Sequence, residues 1–429
     1  MELMYGLKPV PFKLTHCRKL RSESGAIDWC LDNLMPTRPC WVEIRTRALE
    51  DNFRFLTSLA APHAELLAIV KADAYGHSLS LCAPAVARAG ARWLGVTSVE
   101  EGVAARSLCP EPRVLVIGGV FPGQGAEALR HNLTAVAWEP WQLDELEAAA
   151  HAAGAPAGSV PVHLEIDTGM SRQGASPDAL APLLARFAPE SPLRLEAVMT
   201  HLFAADEADG AVTAEQMARL DEALGRIAAA GIFADWLNVG GSAALLAGQA
   251  EPIAALAARH GMRAMMRPGF ALYGLIPRYD PQFEHGEPET LAAARVALQP
   301  VLTWKTRVTG VRAIPAGAVV GYNSTFVATE PMRLALVAAG YADGLDRRLG
   351  NRFGLLVCGQ RAPLVGRISM DQAVLDVTEI PGVEAGSEVV ILGSQGGQNL
   401  TAFDHAEASG TIPWEVFTRI GPRVRRVAV

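Results

Sequence analysis

Eight short apolar runs, each followed by a stretch of helical spacing, constrain the fold of this chain more than any other feature. The runs fall at residues 66–70, 93–96, 114–117, 133–137, 162–166, 195–199, 236–239 and 263–266. Between them lie Ala- and Glu-rich stretches, such as 99–108, 141–153 and 213–230, that repeat at helical spacing without internal proline. Alternation of this kind predicts a parallel (β/α)8 barrel in preference to an open doubly wound sheet. No glycine fingerprint follows the first run, which counts against a dinucleotide-binding fold.

A barrel of this type gathers its chemistry where the strands end. Lys71 closes the first run. Asp167-Thr168-Gly169-Met170-Ser171-Arg172 follows the fifth, Thr200-His201 the sixth, Gly240-Gly241-Ser242 the seventh and Arg267-Pro268-Gly269 the eighth. An ammonium at the exit of an apolar strand is costly to desolvate. Desolvation lowers its pKa and leaves an amine able to attack a carbonyl. Tyr75 and Gly76 follow in a segment suited to facing a ligand. The glycines after the last two strands lie where barrels commonly bind phosphate through backbone N–H groups, and Ser242 would cap a helix and donate to that phosphate. Singly, each has an ordinary reading: a snorkelling lysine, a plain turn, a satisfied core histidine. Their coincidence at one barrel face points to a site. A reactive lysine beside a phosphate cradle suggests pyridoxal phosphate. Arg267 would face the cofactor's ring nitrogen and, having no acceptor, leave it unprotonated. That suits removal and return of a proton at Cα.

The segments carrying these residues resemble the alanine racemase family. The resemblance lies in Val70-Lys71-Ala72-Asp73-Ala74-Tyr75-Gly76-His77, Ile166-Asp167-Thr168-Gly169-Met170, Arg267-Pro268-Gly269-Phe270-Ala271-Leu272-Tyr273-Gly274-Leu275, Gly340-Tyr341-Ala342-Asp343-Gly344 and Gly366-Arg367-Ile368-Ser369-Met370-Asp371-Gln372. It is collinear from about Arg38 to the C-terminus. It implies that Lys71 holds pyridoxal 5'-phosphate and acts as one base, and that Tyr341, from a second subunit, is the base on the opposite face. His201 would hydrogen-bond Tyr341 and Arg267. Tyr75, Ser242 and the backbone at Gly269 and Phe270 would bind the phosphate. Arg172 would touch the cofactor's ring hydroxyl and the substrate carboxylate. Met370 would help to bind that carboxylate, with Tyr322 and Asp371 lining the approach. Tyrosine is a weak base, but Arg267 acting through His201 would bias it toward its ionised form.

Three positions depart from the family pattern. Glu165 stands where many members carry a carbamylated lysine; Gly241 replaces an asparagine before the serine. Pro422 aligns with a tyrosine at the phosphate and the approach, which implies a less crowded opening. Glu165 would orient Arg172 without carbon dioxide.

The length of 429 residues suits a barrel plus a second domain. After Leu275 the runs at 301–308, 334–337, 355–357 and 389–392 are separated by Pro, Gly and Asn turns, which predicts an all-β module. The expected division is an extension over 1–40, a barrel over 41–281 and a β-domain over 282–429, with a polar linker at 282–289. The extension is basic between Lys8 and Arg21 and lacks a continuous apolar stretch, so it does not read as a secretory signal. A mis-assigned start is favoured over a regulatory arm or a targeting segment. The six cysteines, at 17, 30, 40, 82, 109 and 358, form no CxxC pair, which points to reduced thiols, a cytoplasmic setting and no metal site. A formal net charge of −7 and a pI near 5.9 argue against nucleic-acid binding. No apolar run approaches the ~20 residues that span a bilayer. The expected activity is interconversion of L- and D-alanine by a homodimer with shared sites, supplying D-alanine for peptidoglycan. A broader serine and alanine racemase, a decarboxylase and a non-catalytic pyridoxal-phosphate-binding protein are the alternatives.

Overall fold

The computed structural model describes residues 38–207, 209–277 and 286–429. One strand, β1 (Cys40–Ile44), precedes the barrel. The barrel is closed and wholly parallel, from β2 (Ala64–Ile69), β3 (Trp93–Val96), β4 (Arg113–Val116), β5 (Leu133–Ala137), β6 (Val160–Glu165), β7 (Leu193–Thr200), β8 (Trp236–Gly241) and β9 (Arg263–Arg267). Helices fill the connections, among them Val99–Leu108, Pro140–Ala152 and Ala211–Ala229.

Two apolar sets pack on the two faces of these strands. Leu67, Ile69, Trp93, Leu115, Val136, Ala197, Met199, Trp236 and Met265 fill the interior. Leu66, Ala68, Val70, Leu94, Val96, Leu237 and Val239 face the helices. Side chains alternate along a strand, so the parity of Leu67 and Ile69 aims Lys71 inward. The same rule turns His163 and Glu165 inward beside Val162 and Leu164, Asn238 inward beside Leu237 and Val239, and Arg267 inward after Met265. The β6–β7 pairing shifts by one residue: Val162 faces Leu195, but His163 faces Ala197. Glu196 is the extra residue of a bulge.

The C-terminal half is mostly strand. Its sheet is ordered Gln360–Pro363, Gly354–Val357, Glu388–Gln395, Leu302–Ile314, β1 and Arg425–Ala428, with Met332–Val337 also pairing Leu302–Ile314. Here β1 departs from the expected division. It lies at the start of the stretch expected to form the barrel, yet it runs antiparallel to Leu302–Ile314 and parallel to Arg425–Ala428. Its apolar residues Cys40, Val42 and Ile44 are buried in the common core. The expected linker is described only from Gly286 onward, and the extension before Arg38 lies outside the described residues. No helix among the described residues is long and apolar enough to cross a membrane.

Candidate active site

Lys71 does not simply end a strand. Ala72, Asp73, Ala74 and Tyr75 follow it with φ between 52° and 55°, a complete left-handed turn built without glycine. Such a conformation costs roughly 1–2 kcal/mol per residue and persists only where the surroundings impose it. Here they do. Asp73 Oδ1 accepts the N–H of Leu79 at 2.7 Å, and Asp73 O accepts that of Ser78 at 2.9 Å. Arg426 Nε donates to Gly76 O at 3.1 Å, and a Cβ on Gly76 would lie 2.4 Å from Phe417 O. The C-terminal segment thus clamps the turn that carries the lysine.

Lys71 is half-buried. Desolvation, and then the charges of Arg172 and Arg267, hold its pKa below the usual lysine value. The same cations surround His201, whose pKa falls to about 3 through burial and the charges of Arg267, Arg172 and Lys71. Burial lowers Arg267 to about 10, which leaves it a cation at neutral pH. Lys71, Arg172, His201 and Arg267 therefore share one mouth. Arg172 itself is exposed on the loop after β6. That loop is shaped by Asp167 Oδ1, which accepts the N–H groups of Gly169 at 2.9 Å and Ser171 at 3.1 Å.

Ser242 opens the helix Ser242–Leu246, but its cap is Gly241, so the expected capping role of the serine is not realised. Its Oγ instead accepts the N–H groups of Gly269 at 2.9 Å and Ala271 at 3.2 Å. Tyr75 closes this corner. A Cβ on Gly269 would lie 2.4 Å from the Tyr75 hydroxyl, so glycine keeps the approach open. Burial raises the pKa of that hydroxyl to about 12, so it serves as a neutral donor. A mouth rich in cations and N–H donors, with a lysine of lowered pKa beside it, fits an anionic carbonyl compound such as pyridoxal phosphate.

Glu165 is buried at 2% exposure, and Gln173 Nε2 donates to its Oε2. Burial raises its pKa, while Gln173, Arg267 and Arg172 oppose the rise. It lies in the field of both arginines, but its hydrogen-bond partner is Gln173. Pro422 is exposed in the turn before Arg425–Ala428, whereas the indole of Trp414 lies edge-on to Phe270, 5.0 Å between ring centres.

Tyr341, Tyr322 and Met370 lie elsewhere, on the strand-rich half, and are 43%, 67% and 53% exposed. Among the described residues no hydrogen bond or ion pair joins these three to the mouth. Tyr341 and Met370 are adjacent: the N–H of Tyr341 donates to Ser369 O, and that of Ala342 to Met370 O, each at 3.0 Å. Arg423 binds this tip together through Asp343 at 2.7 Å and Asp371 at 2.8 Å. Arg423, Gln173 and Trp414 went unread in the sequence. Inward parity could have marked His163 and Asn238.

A closed barrel with a lysine of lowered pKa and a cradle of N–H donors at its mouth, joined to a β-module with exposed tips, fits the class of enzymes that use a carbonyl cofactor. Family models describing the alanine racemase N-terminal and C-terminal domains match residues 44–277 and 301–428. The chain belongs to the alanine racemase family. An alanine racemase of Nostoc sp. is 36% identical over 394 residues, 91% of this chain and 95% of that protein. One of Symbiobacterium thermophilum is 37% identical over 391 residues, 91% and 97% of the two chains. The solved alanine racemase of the D-cycloserine producer Streptomyces lavendulae superposes with a TM-score of 0.80 at 34% identity, covering 92% of this chain and 98% of that one. That of Bartonella henselae, with covalently bound pyridoxal phosphate, gives 0.76 at 26% identity, covering 91% and 99%.

Proposed function

We propose that this chain interconverts L- and D-alanine with pyridoxal 5'-phosphate held by Lys71. The observation that carries the reading is a lysine whose pKa is held below its usual value by burial and by two arginines, beside the Ser242–Gly269 cradle. The names of its relatives, at 32–37% identity, agree with it. Bound there, the cofactor draws electrons from Cα and acidifies its C–H bond. Lys71 serves one face of that carbon and Tyr341 the other. One base takes a proton and the other returns one, so Cα inverts without change in composition, and proton exchange between the bases and solvent resets both for the next turnover. Tyr75, Ser242 and the backbone at Gly269 and Phe270 bind the phosphate. Arg172, oriented by Glu165, and Met370 hold the substrate carboxylate; Tyr322 and Asp371 line the approach, and His201 links Tyr341 to Arg267.

Tyr341 stands exposed and apart from Lys71 in the single chain, which supports a homodimer in which each mouth takes its second base from the neighbour. The working division remains a barrel over 41–281 and a β-module over 282–429, with β1 lent to the latter. Supply of D-alanine for peptidoglycan in the cytoplasm follows from this reading.

The test is turnover of L-alanine and of L-serine by the purified protein, followed by borohydride reduction and peptide mapping. We expect alanine racemisation, the reduced cofactor on Lys71, and a loss on the order of 10³-fold or more in Lys71→Ala. A label on another residue, or no bound cofactor, defeats the proposal.

A further inference from the structure

Behind Arg267 lies a file of polar residues for which the racemase reading has no role. Arg267 Nη1 donates to both the backbone oxygen and Oδ1 of Asn238 at 2.6 Å, and Nη2 donates to Thr200 O at 2.8 Å. Asn238 is fully buried, and its Nδ2 lies 3.3 Å from His163 Nδ1. His163 Nε2 lies 3.4 Å from Glu196 Oε2, a long contact, with no closer polar partner. Glu196 accepts two hydrogen bonds of 2.7 Å from Arg113 and one of 3.0 Å from Arg194. Arg113 stacks 4.1 Å over the Trp93 ring and lines a recess of about 830 Å³ at the far end of the barrel. The file therefore crosses the barrel from that end to the mouth.

Donor and acceptor chemistry allows it one polarity. A guanidinium has only donors, so Asn238 must turn Oδ1 toward Arg267 and Nδ2 toward His163. His163 Nδ1 must then accept, which leaves its hydrogen on Nε2, facing Glu196. Glu196 accepts on both oxygens, and from His163 and the two arginines together, when ionised. Burial pushes its pKa up, but His163 and Arg113 beside it outweigh this and bring it to about 2. Reversing any link sets donor against donor or acceptor against acceptor in the buried interior. The β6–β7 bulge supplies the last requirement, placing Glu196, the extra residue on β7, opposite His163. The two longer links matter through this exclusion, since at 3.3 and 3.4 Å their intrinsic strength is small.

We infer that Glu196, His163 and Asn238 are positioning residues that hold the Arg267 guanidinium in one plane at the mouth, with Glu196 choosing the His163 tautomer from the opposite end of the barrel. The inference rests on the racemase reading, because it explains what steadies the arginine facing the cofactor ring.

The decisive measurement is ¹⁵N NMR of His163 in the full-length protein, assigned with His163→Gln. It should show a neutral ring protonated at Nε2 from about pH 6 to 8. A ring protonated at Nδ1, or at both nitrogens, overturns the inference whether or not the protein racemises alanine. Asn238→Asp offers His163 an acceptor and should convert it to an Nδ1-protonated form; an unchanged tautomer counts against the relay. In the holoenzyme, with rates normalised to bound cofactor, Asn238→Leu and Glu196→Gln should lower kcat roughly 10-fold. They should also shift the visible absorbance and leave the alanine KM within about twofold. His163→Gln, which keeps one donor and one acceptor, should recover most of what His163→Leu loses. Loss of bound cofactor with an unchanged spectrum and kcat per site would mean that these residues only support the barrel. A wild-type protein without racemase activity would sink the functional reading, and the NMR result would still decide the relay.

Discussion

Ser242 and Arg267 at the barrel mouth are 3% and 6% exposed, whereas Tyr341, Met370 and Tyr322 at the tips of the strand-rich half are 43%, 53% and 67% exposed. The mouth is finished by the chain's own packing, and its charges owe their shifted pKa values to that desolvation. The tips are finished only in their backbone. Asp343 is fully buried, accepts the N–H of Gly340 at 2.8 Å and is gripped by Arg423. Large side chains held rigidly in the open are arranged for a second surface. On the proposed reading, the contrast separates a region that binds by itself from one that acts on a neighbour.

Mixing gives the largest effect and the hardest test of that contrast. Tyr341→Phe should lose 10²–10⁴-fold in turnover while keeping its cofactor. Mixing it with inactive Lys71→Ala should restore activity, since a mixed dimer has one intact mouth. Subunits that exchange without recovery would show that the tips serve their own chain. Next comes Arg423→Ala, which leaves the buried carboxylate of Asp343 short of its cation. With Arg423 partly exposed, a stability loss of about 1–2 kcal/mol is expected, with reduced kcat and unchanged cofactor content. A drop in cofactor occupancy would blur the line between tip and mouth.

Glu165→Gln probes the mouth alone. If Glu165 orients Arg172, the alanine KM should rise about fivefold, the worth of about 1 kcal/mol in a charged hydrogen bond, and bicarbonate should not stimulate the wild type at constant pH. An unchanged KM in the glutamine variant, or stimulation by bicarbonate, removes that role.

The last effect is on stability alone, away from both regions, and leaves turnover at neutral pH unchanged. Burial holds the pKa of His405 down to about 4, and Nε2 lies 2.7 Å from Ile391 O. Its folded value lies below the unfolded one of ~6.5, so the unfolded chain binds more protons as the pH falls. Its contribution is complete above pH ~6.5 and is lost toward pH 4, by up to about 3 kcal/mol. Thermal melts of the wild type should steepen over that window, and His405→Gln should flatten them. Parallel slopes for the two proteins would remove His405 as the cause.

Much of the fold and the centre of the site were legible because they are written at short range. Alternating apolar runs placed the barrel strands within two residues of their observed bounds. Strand parity, a property of the backbone alone, already aims Lys71, Glu165, Asn238 and Arg267 into one mouth. Composition and turn residues announced the second, strand-rich half. Tertiary packing alone settled the rest. It fixed the left-handed turn from Ala72 to Tyr75, which no glycine marks and which Arg426 and Phe417 impose from some 350 residues away. It carried β1 across to the C-terminal sheet, because its edges found partners only in Leu302–Ile314 and Arg425–Ala428. It put Trp414 against Phe270, and drew Glu196 through a one-residue bulge to His163. Periodicity records which face of an element is apolar; it carries no record of which distant group will complete a strained turn, an open edge or an unpaired donor.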